Sequence, residues 1–575
     1  MEPSAKPHCP VANALMAAIA SDHCPLMQLA VFSQIRPVTV SVRVPFLLSI
    51  QRGSGNGTLY TYDLVGKVLQ VNDPTGTYGF AYDNMGRLIS TTTQYAFLSG
   101  STFTNSYTYD AASNRTSLTA PDGSISTYGY DTLNRLNGLA NSWAGSFGFA
   151  YDALGRRTQL MRPNGVKTNY SYDSLSHLLS VLHQAGVNTL DGASYTYDPA
   201  GNRTAKTNYL NATTSNYAYD ALYELTQVTQ GASTTESYSY DAVGNRLSSS
   251  GVPNYSYNSS NELTSNSTGS YTYDANGNTL SDASGKSYTW DFENRLVSAV
   301  VPGTNGGTTT FKYDPFGHRI QKSGPLGTTN YLYSGPDILE EVDNGGNVLA
   351  RYTRAKKIDE TLATLGSGTT SYYQADGLGS VTSLSDGGGA LANTYIYDSF
   401  GKLTASTGTI GNPFQYTGRE FDPETGIYEY RARYYDESVG RFISEDPIRF
   451  RGGINFYDYV RNDPPNLTDP NGLAPGGGGR EICSYYDQHC KYGCNGSSSY
   501  ECRAGNCCRA FPESPQANCT RECLISWDIA NCSKMSGESQ AACRIVAHLN
   551  CYSQCSFHPN PFKIPGVCWS IADGR

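Results

Sequence analysis

Apolar and polar positions alternate along this chain in short bursts, and each burst ends the same way. "YTYDLVGKVLQV" at Tyr60 is followed by "FAYDNMGRLIST" at Phe80, "YTYDAASNRTSL" at Tyr107 and "YGYDTLNRLNGL" at Tyr128. Then come "FAYDALGRRTQL" at Phe149, "YSYDSLSHLLSV" at Tyr170, and copies from Tyr195, Tyr217, Tyr238, Tyr255, Tyr271, Tyr288 and Phe311. In Y-x-Y-D the aromatics lie two apart, on one face of a β-strand. The Asp opens a turn, because its carboxylate accepts backbone N–H groups, and the Gly or Asn after it takes left-handed backbone. "R-L" begins the return strand. Each unit is thus a β-hairpin, and the period of about 20 residues marks a repeat architecture. One hairpin cannot bury its face alone, so neighbours are expected to stack into a long continuous sheet.

Composition agrees with this reading and narrows it. Of 575 residues, 38% are hydrophobic and 16% charged, with 45 Tyr and 59 Gly. That is strand and turn material, not a helical core or a charged disordered chain. The net charge of −9 gives no electrostatic footprint for nucleic acid or an anionic membrane. No apolar run reaches transmembrane length, and the first residues lack the basic and apolar regions of a signal peptide, so a non-Sec or unidentified export route is expected. Residues 1–50 lack the repeat and are set apart as an N-terminal segment. The repeated Tyr and Asp read as structural.

The unit Y-x-Y-D-x-x-G-R-L resembles the YD repeats of bacterial Rhs and wall-associated proteins and of the teneurins, over residues 58–370. From "YYQADGLGSVTSLSD" at Tyr372, through "YDSFGKLTAS", "FQYTGREFDPETGIYEYRARYYDESVGRFISEDPI" and "GGINFYDYVRNDPPNLTDPNGL", the chain is similar to the Rhs repeat-associated core, here residues 371–473. The resemblance implies a mainly β fold: a hollow shell of spiralling hairpins closed by the core as a plug. In toxin members the core cuts the chain after "DPxGL", leaving the variable C-terminal segment inside as a sequestered effector. It also implies the machinery, an aspartate pair and an arginine, which fall on Asp446, Asp469 and Arg433. The cut would then lie between Leu473 and Ala474.

The chemistry is reasonable for those residue types. Two neighbouring carboxylates split their titrations, so one holds a proton for the carbonyl oxygen while the other activates water. An arginine stabilises whichever charge develops, and cutting in cis profits from a high effective concentration. On their own, two Asp-Pro pairs are ordinary turn formers. Asp422, Asp436 and Asp463 are read as structural or turn residues.

Behind a Gly-rich linker at 474–482 the composition changes. Thirteen of the 15 cysteines lie in 483–575, the pattern of a small disulfide scaffold. Cys519 and Cys523, and likewise Cys551 and Cys555, are spaced to share one face of a helix. With Cys532 and Cys543 they suggest two helices clipped together, a small α-helical domain. Zinc is the competing reading. However, the spacing is mostly C-x3-C, and His489, His548 and His558 do not form a ligand group; a Cys–His catalytic pair also stays open. Neither a metal nor a cofactor is assigned.

Two functions follow. One is a polymorphic toxin of a bacterium, secreted or on the cell surface, which encloses its own C-terminal tail and has an immunity protein and a secretion adaptor as partners. The other is a YD-repeat adhesin whose aromatic surface binds carbohydrate. The intact "DPNGL" seam and the change of composition behind it favour the first.

Overall fold

The computed structural model describes residues 57–304, 306–473 and 475 in full, and the backbone of 27–33, 36–43 and 47–52. The expected Cys-rich helical domain, with Cys519, Cys523, Cys532, Cys543, Cys551 and Cys555, lies outside the described residues, as does Ala474. The described residues hold strands and three short 3-10 turns, and no α-helix. The chain divides into two units, Met1–Arg87 with Gly477–Arg575, and Leu88–Gly476. In the first unit the strands Met27–Ser33, Arg36–Arg43, Leu47–Arg52, Thr58–Tyr62, Val68–Asp73 and Gly76–Tyr82 pair antiparallel in order. Three of these strands fall within or across the end of the segment set apart at 1–50.

The second unit carries most of the repeats. They form two antiparallel strips where one continuous sheet was expected. The first strip runs from Leu88–Tyr95 to Arg246–Ser249, and the second from Thr272–Tyr273 to Leu403–Thr407. Between them Ser256–Tyr257, Leu263–Asn266 and Gly269–Ser270 make a small separate sheet. The break falls where the units crowd together, with starts at Tyr238, Tyr255 and Tyr271, and where Pro253 removes a ladder donor.

The turns that open with the repeat's Asp share one construction. In the unit at Tyr128, Asp131 Oδ1 accepts the N–H groups of Leu133 (2.9 Å) and Arg135 (3.0 Å), while Oδ2 takes the Arg135 side chain at 2.7 Å. Asn134, at φ 59°, supplies the left-handed residue, and the ladder shifts register between Gly129 and Tyr130. This is a type I turn followed by a bulge, the usual solution for a hairpin of this length.

The two aromatics do different work. The first is buried or half-buried and can be Tyr or Phe, as at buried Tyr128 and Phe149. The second is half-buried in most units, though buried at Tyr313, and is Tyr or Trp in each, a side chain that can donate a hydrogen bond. Tyr130 donates to the Arg115 carbonyl (2.8 Å), Tyr151 to Leu136 (2.8 Å), Tyr172 to Arg157 (2.9 Å) and Trp290 Nε1 to Thr279 (2.7 Å). Each bond ties a hairpin to its predecessor. Tyr151→Phe should therefore cost about 1 kcal/mol, the net worth of one such bond, read as a lowered urea midpoint. Between the strips, apolar side chains such as Leu139, Phe147, Leu362 and Tyr372 share one core. Tyr372 also donates to the Ala144 carbonyl (2.9 Å), and Lys206 pairs with Asp376 (2.7 Å).

Candidate functional site

The core region folds around a four-stranded antiparallel sheet, Glu420–Asp422, Ile427–Tyr430, Arg433–Asp436 and Arg441–Phe442. One end is packed by Phe400, Tyr416, Tyr428, Tyr430, Tyr435 and Tyr459, all buried. The second hairpin turns in two residues, with Arg431 at φ 57°. That tight turn brings Arg433 inward, where it is 3% exposed.

Arg433 is the hub. Its Nη2 lies 3.2 Å from Asp446 Oδ2 and 3.4 Å from Asp469 Oδ2. Nε donates to the Gly472 carbonyl at 2.6 Å and Nη1 to that of Phe456 at 3.0 Å. The guanidinium stacks on Phe442, 3.6 Å from the ring centre. With both carboxylates buried, the residues that sequence reasoning named from 13 and 23 positions apart in the chain form one cluster.

The "DPNGL" segment is bound like a substrate. Arg431 donates to the Pro470 carbonyl, and Ala432 N–H to that of Asn471 (3.2 Å). Gly472 sits at φ 66°, where a Cβ would lie 2.2 Å from the Tyr430 carbonyl oxygen, so only glycine permits this approach. Leu473 N–H donates to Asp469 Oδ1 at 3.1 Å. Beside it, the position a Cβ on Gly452 would take is 2.3 Å from Asp446 Oδ2 and 2.9 Å from the Leu473 carbonyl oxygen. Asp446 Oδ2 and the Leu473 carbonyl oxygen therefore border the same space, which the absence of a side chain at Gly452 leaves open.

Burial pushes the Asp446 carboxyl up to about 6, against the pull of Arg433 and the Ile448 N–H, and with a further push from Asp469. Burial also lowers Arg433, opposed by the two carboxylates. Sequence reasoning missed Asp458, a third acid in this field, pushed up to about 6 by burial despite Arg433, Arg461 and Arg441. An acid framed by aromatics in "FYDYV", just after the Gly-Gly pair, was the available signal. The other acids serve the frame: Asp422 binds Arg319 and Lys322, Asp436 accepts Ser438 N–H (2.9 Å), and Asp463 accepts Asn466 Nδ2 (2.6 Å).

Comparison with known proteins sets this geometry in a family. Residues 207–465 match the family model described as Teneurin YD-shell. The tRNA nuclease WapA of Bacillus subtilis is 33% identical over 432 residues, 73% of this chain and 16% of that protein. The chain belongs to the YD-shell proteins of the Rhs type. The tRNA3(Ser)-specific nuclease WapA of Bacillus spizizenii is 31% identical over 439 residues, 74% of this chain and again 16% of the relative. This YD-shell chain thus spans about a sixth of the length of the curated relatives it matches. The Photorhabdus luminescens Tc holotoxin pore shares the fold, with a TM-score of 0.64 at 20% identity over 78% of this chain and 26% of that one.

Proposed function

We propose that this chain is the shell and plug of a polymorphic toxin, and that the plug cuts its own backbone once, between Leu473 and Ala474. Residues 474–575 then become a separate polypeptide enclosed by the shell. The relatives named nucleases and the toxin fold support the role, and the export such a toxin needs places it outside the producing cell. Among the described residues no helix is long and apolar enough to cross a membrane. The reading rests on one observation: the Leu473 carbonyl oxygen and Asp446 Oδ2 border the same space beside Gly452, while the Leu473 N–H is held by Asp469.

The roles follow from the environments. Asp446, neutral below about 6, is the acid facing the carbonyl oxygen. Asp469, held near Arg433, is the base. Water gives a proton to Asp469 as its oxygen bonds to the Leu473 carbonyl carbon, and Asp446 protonates the carbonyl oxygen. Collapse breaks the C–N bond as one hydroxyl returns its proton to Asp446 and the proton on Asp469 passes to the departing amine of Ala474. Arg433 steadies the remaining charge and fixes Gly472, which holds the bond in an attackable pose.

The pH dependence has a definite sign. A carboxyl raised to about 6 keeps its proton below that value and loses it above, so the acid disappears as pH rises. The cleavage rate of newly synthesised chain, followed after transfer to buffers, should fall about tenfold per pH unit above 6; a flat profile contradicts the assignment of Asp446. Enclosure is tested separately. The fragment should co-elute with residues 1–473 in native size exclusion and separate only in denaturant; early separation contradicts it.

A further inference from the structure

The loop between strands Val348–Arg354 and Thr361–Gly366 of the second strip carries two adjacent acids that serve different neighbours. Glu360 pairs with the first strip, its Oε2 accepting Arg157 Nη2 at 3.0 Å. Asp359, at φ 62° and with its side chain 10% exposed, pairs with the plug. Its Oδ1 accepts Arg419 Nη1 at 2.6 Å and Arg431 Nη2 at 2.7 Å, and its Oδ2 accepts Arg431 Nη1 at 3.2 Å. Gly418 lets the loop come this close, since a Cβ there would lie 2.7 Å from the Asp359 carbonyl oxygen. Burial pushes the Asp359 carboxyl up, but Arg419 and Arg431 hold it below the usual carboxylate range, so it stays charged.

Arg431 is the link from this acid to the seam. Its Nη1 also donates to the Pro470 carbonyl, the first of three successive carbonyls held by three successive residues. Ala432 N–H takes that of Asn471, and Arg433 Nε that of Gly472. A side chain as long as Arg431 has many rotamers to lose in making such a contact. The two-pronged pair with Asp359 fixes the plane of its guanidinium, the arrangement in which arginine binds a carboxylate best. Its other contacts are looser, the Pro336 carbonyl at 3.4 Å and Asp337 at 3.8 Å. Arg419 is held separately by Glu429 at 2.7 Å.

We propose that Asp359 is a positioning residue for the cut after Leu473: by fixing Arg431 it sets where residues 470–472 lie, and so makes cutting conditional on the second strip being packed on the plug. The inference rests on the cut proposed above and adds a contribution from outside the plug. Asp359 touches none of the reacting atoms, so its loss misplaces the bond and leaves the acids as they are. Asp359→Asn keeps a residue that tolerates left-handed backbone, and turns one acceptor into a donor facing two guanidinium groups. Newly synthesised chain should then cut about 30-fold more slowly at every pH. The decline above about pH 6, set by Asp446, should not move. Arg431→Met should slow the cut equally, and the double variant should be no slower than either, whereas independent losses would multiply to about 900-fold. Should Asp359→Asn prove poorly folded in a urea melt, Arg431→Met decides, because it leaves Asp359 paired with Arg419. A wild-type chain that cuts, with normal cutting by a folded variant or with losses that multiply, overturns this inference alone. An uncut wild-type chain overturns the proposed cut itself.

Discussion

Asp446→Asn should leave the chain in one piece. The substitution is isosteric, and its Oδ1 can still accept the Ile448 N–H that the carboxylate accepts at 2.9 Å, so the local turn survives. What is lost is the proton facing the Leu473 carbonyl oxygen. Residues that act as a unit fail together, so the rate of a single turnover should fall at least about 10³-fold. Asp469→Asn should do the same by removing the base. Asp463→Asn is the control: its carboxylate serves a local turn and it should cut at the normal rate. Normal cutting by Asp446→Asn would show that the acid lies elsewhere, with Asp458 the next to examine.

The second large effect concerns how the plug is fastened. Arg319, on strand Arg319–Gly324 of the second strip, is 1% exposed. Its Nη2 lies 2.5 Å from Glu420, its Nη1 binds Asp422, and Phe311 and Tyr331 flank the guanidinium at 5.4 and 5.3 Å. Lys322 adds a second cation, 3.0 Å from Asp422. Both carboxylates sit on the first strand of the plug sheet, so this ion cluster bolts strip to plug. Arg319→Met keeps much of the volume but takes the ion-pair partner from buried Glu420 and leaves Asp422 with Lys322 alone. Removing one partner of a buried pair costs about 3–5 kcal/mol, whereas replacing the whole set is close to neutral. Denaturant melts should therefore show a large loss for Arg319→Met. Most of it should return in the triple variant with Glu420→Gln and Asp422→Asn. A loss under about 1 kcal/mol would mean that the aromatic packing, not the ion cluster, holds the plug.

How much of this was legible in the residues differs from level to level. The hairpin unit was, because its determinants are local: two aromatics at strand spacing, an Asp that accepts backbone N–H groups, and a left-handed residue after it. The division of labour between the aromatics was also written in the chain, as Phe at Phe149 and Phe311 but never at the second position, and it was not read there. The break between the strips depends on spacing around Pro253 and is faint in any single unit. The union of Arg433, Asp446 and Asp469 came from family resemblance, since no local rule predicts which of many Asp-Pro turns will meet. Gly452 and Asp458 become visible only once the strips and plug are packed, because their roles depend on what lies across a contact.

The central claim is that the seam at Leu473 is a bond the plug cuts. Intact mass of the purified wild-type chain tests it most directly. Two species are expected, residues 1–473 and a fragment beginning at Ala474 and ending at Arg575. A single full-length species, or a fragment beginning anywhere else, would contradict the account.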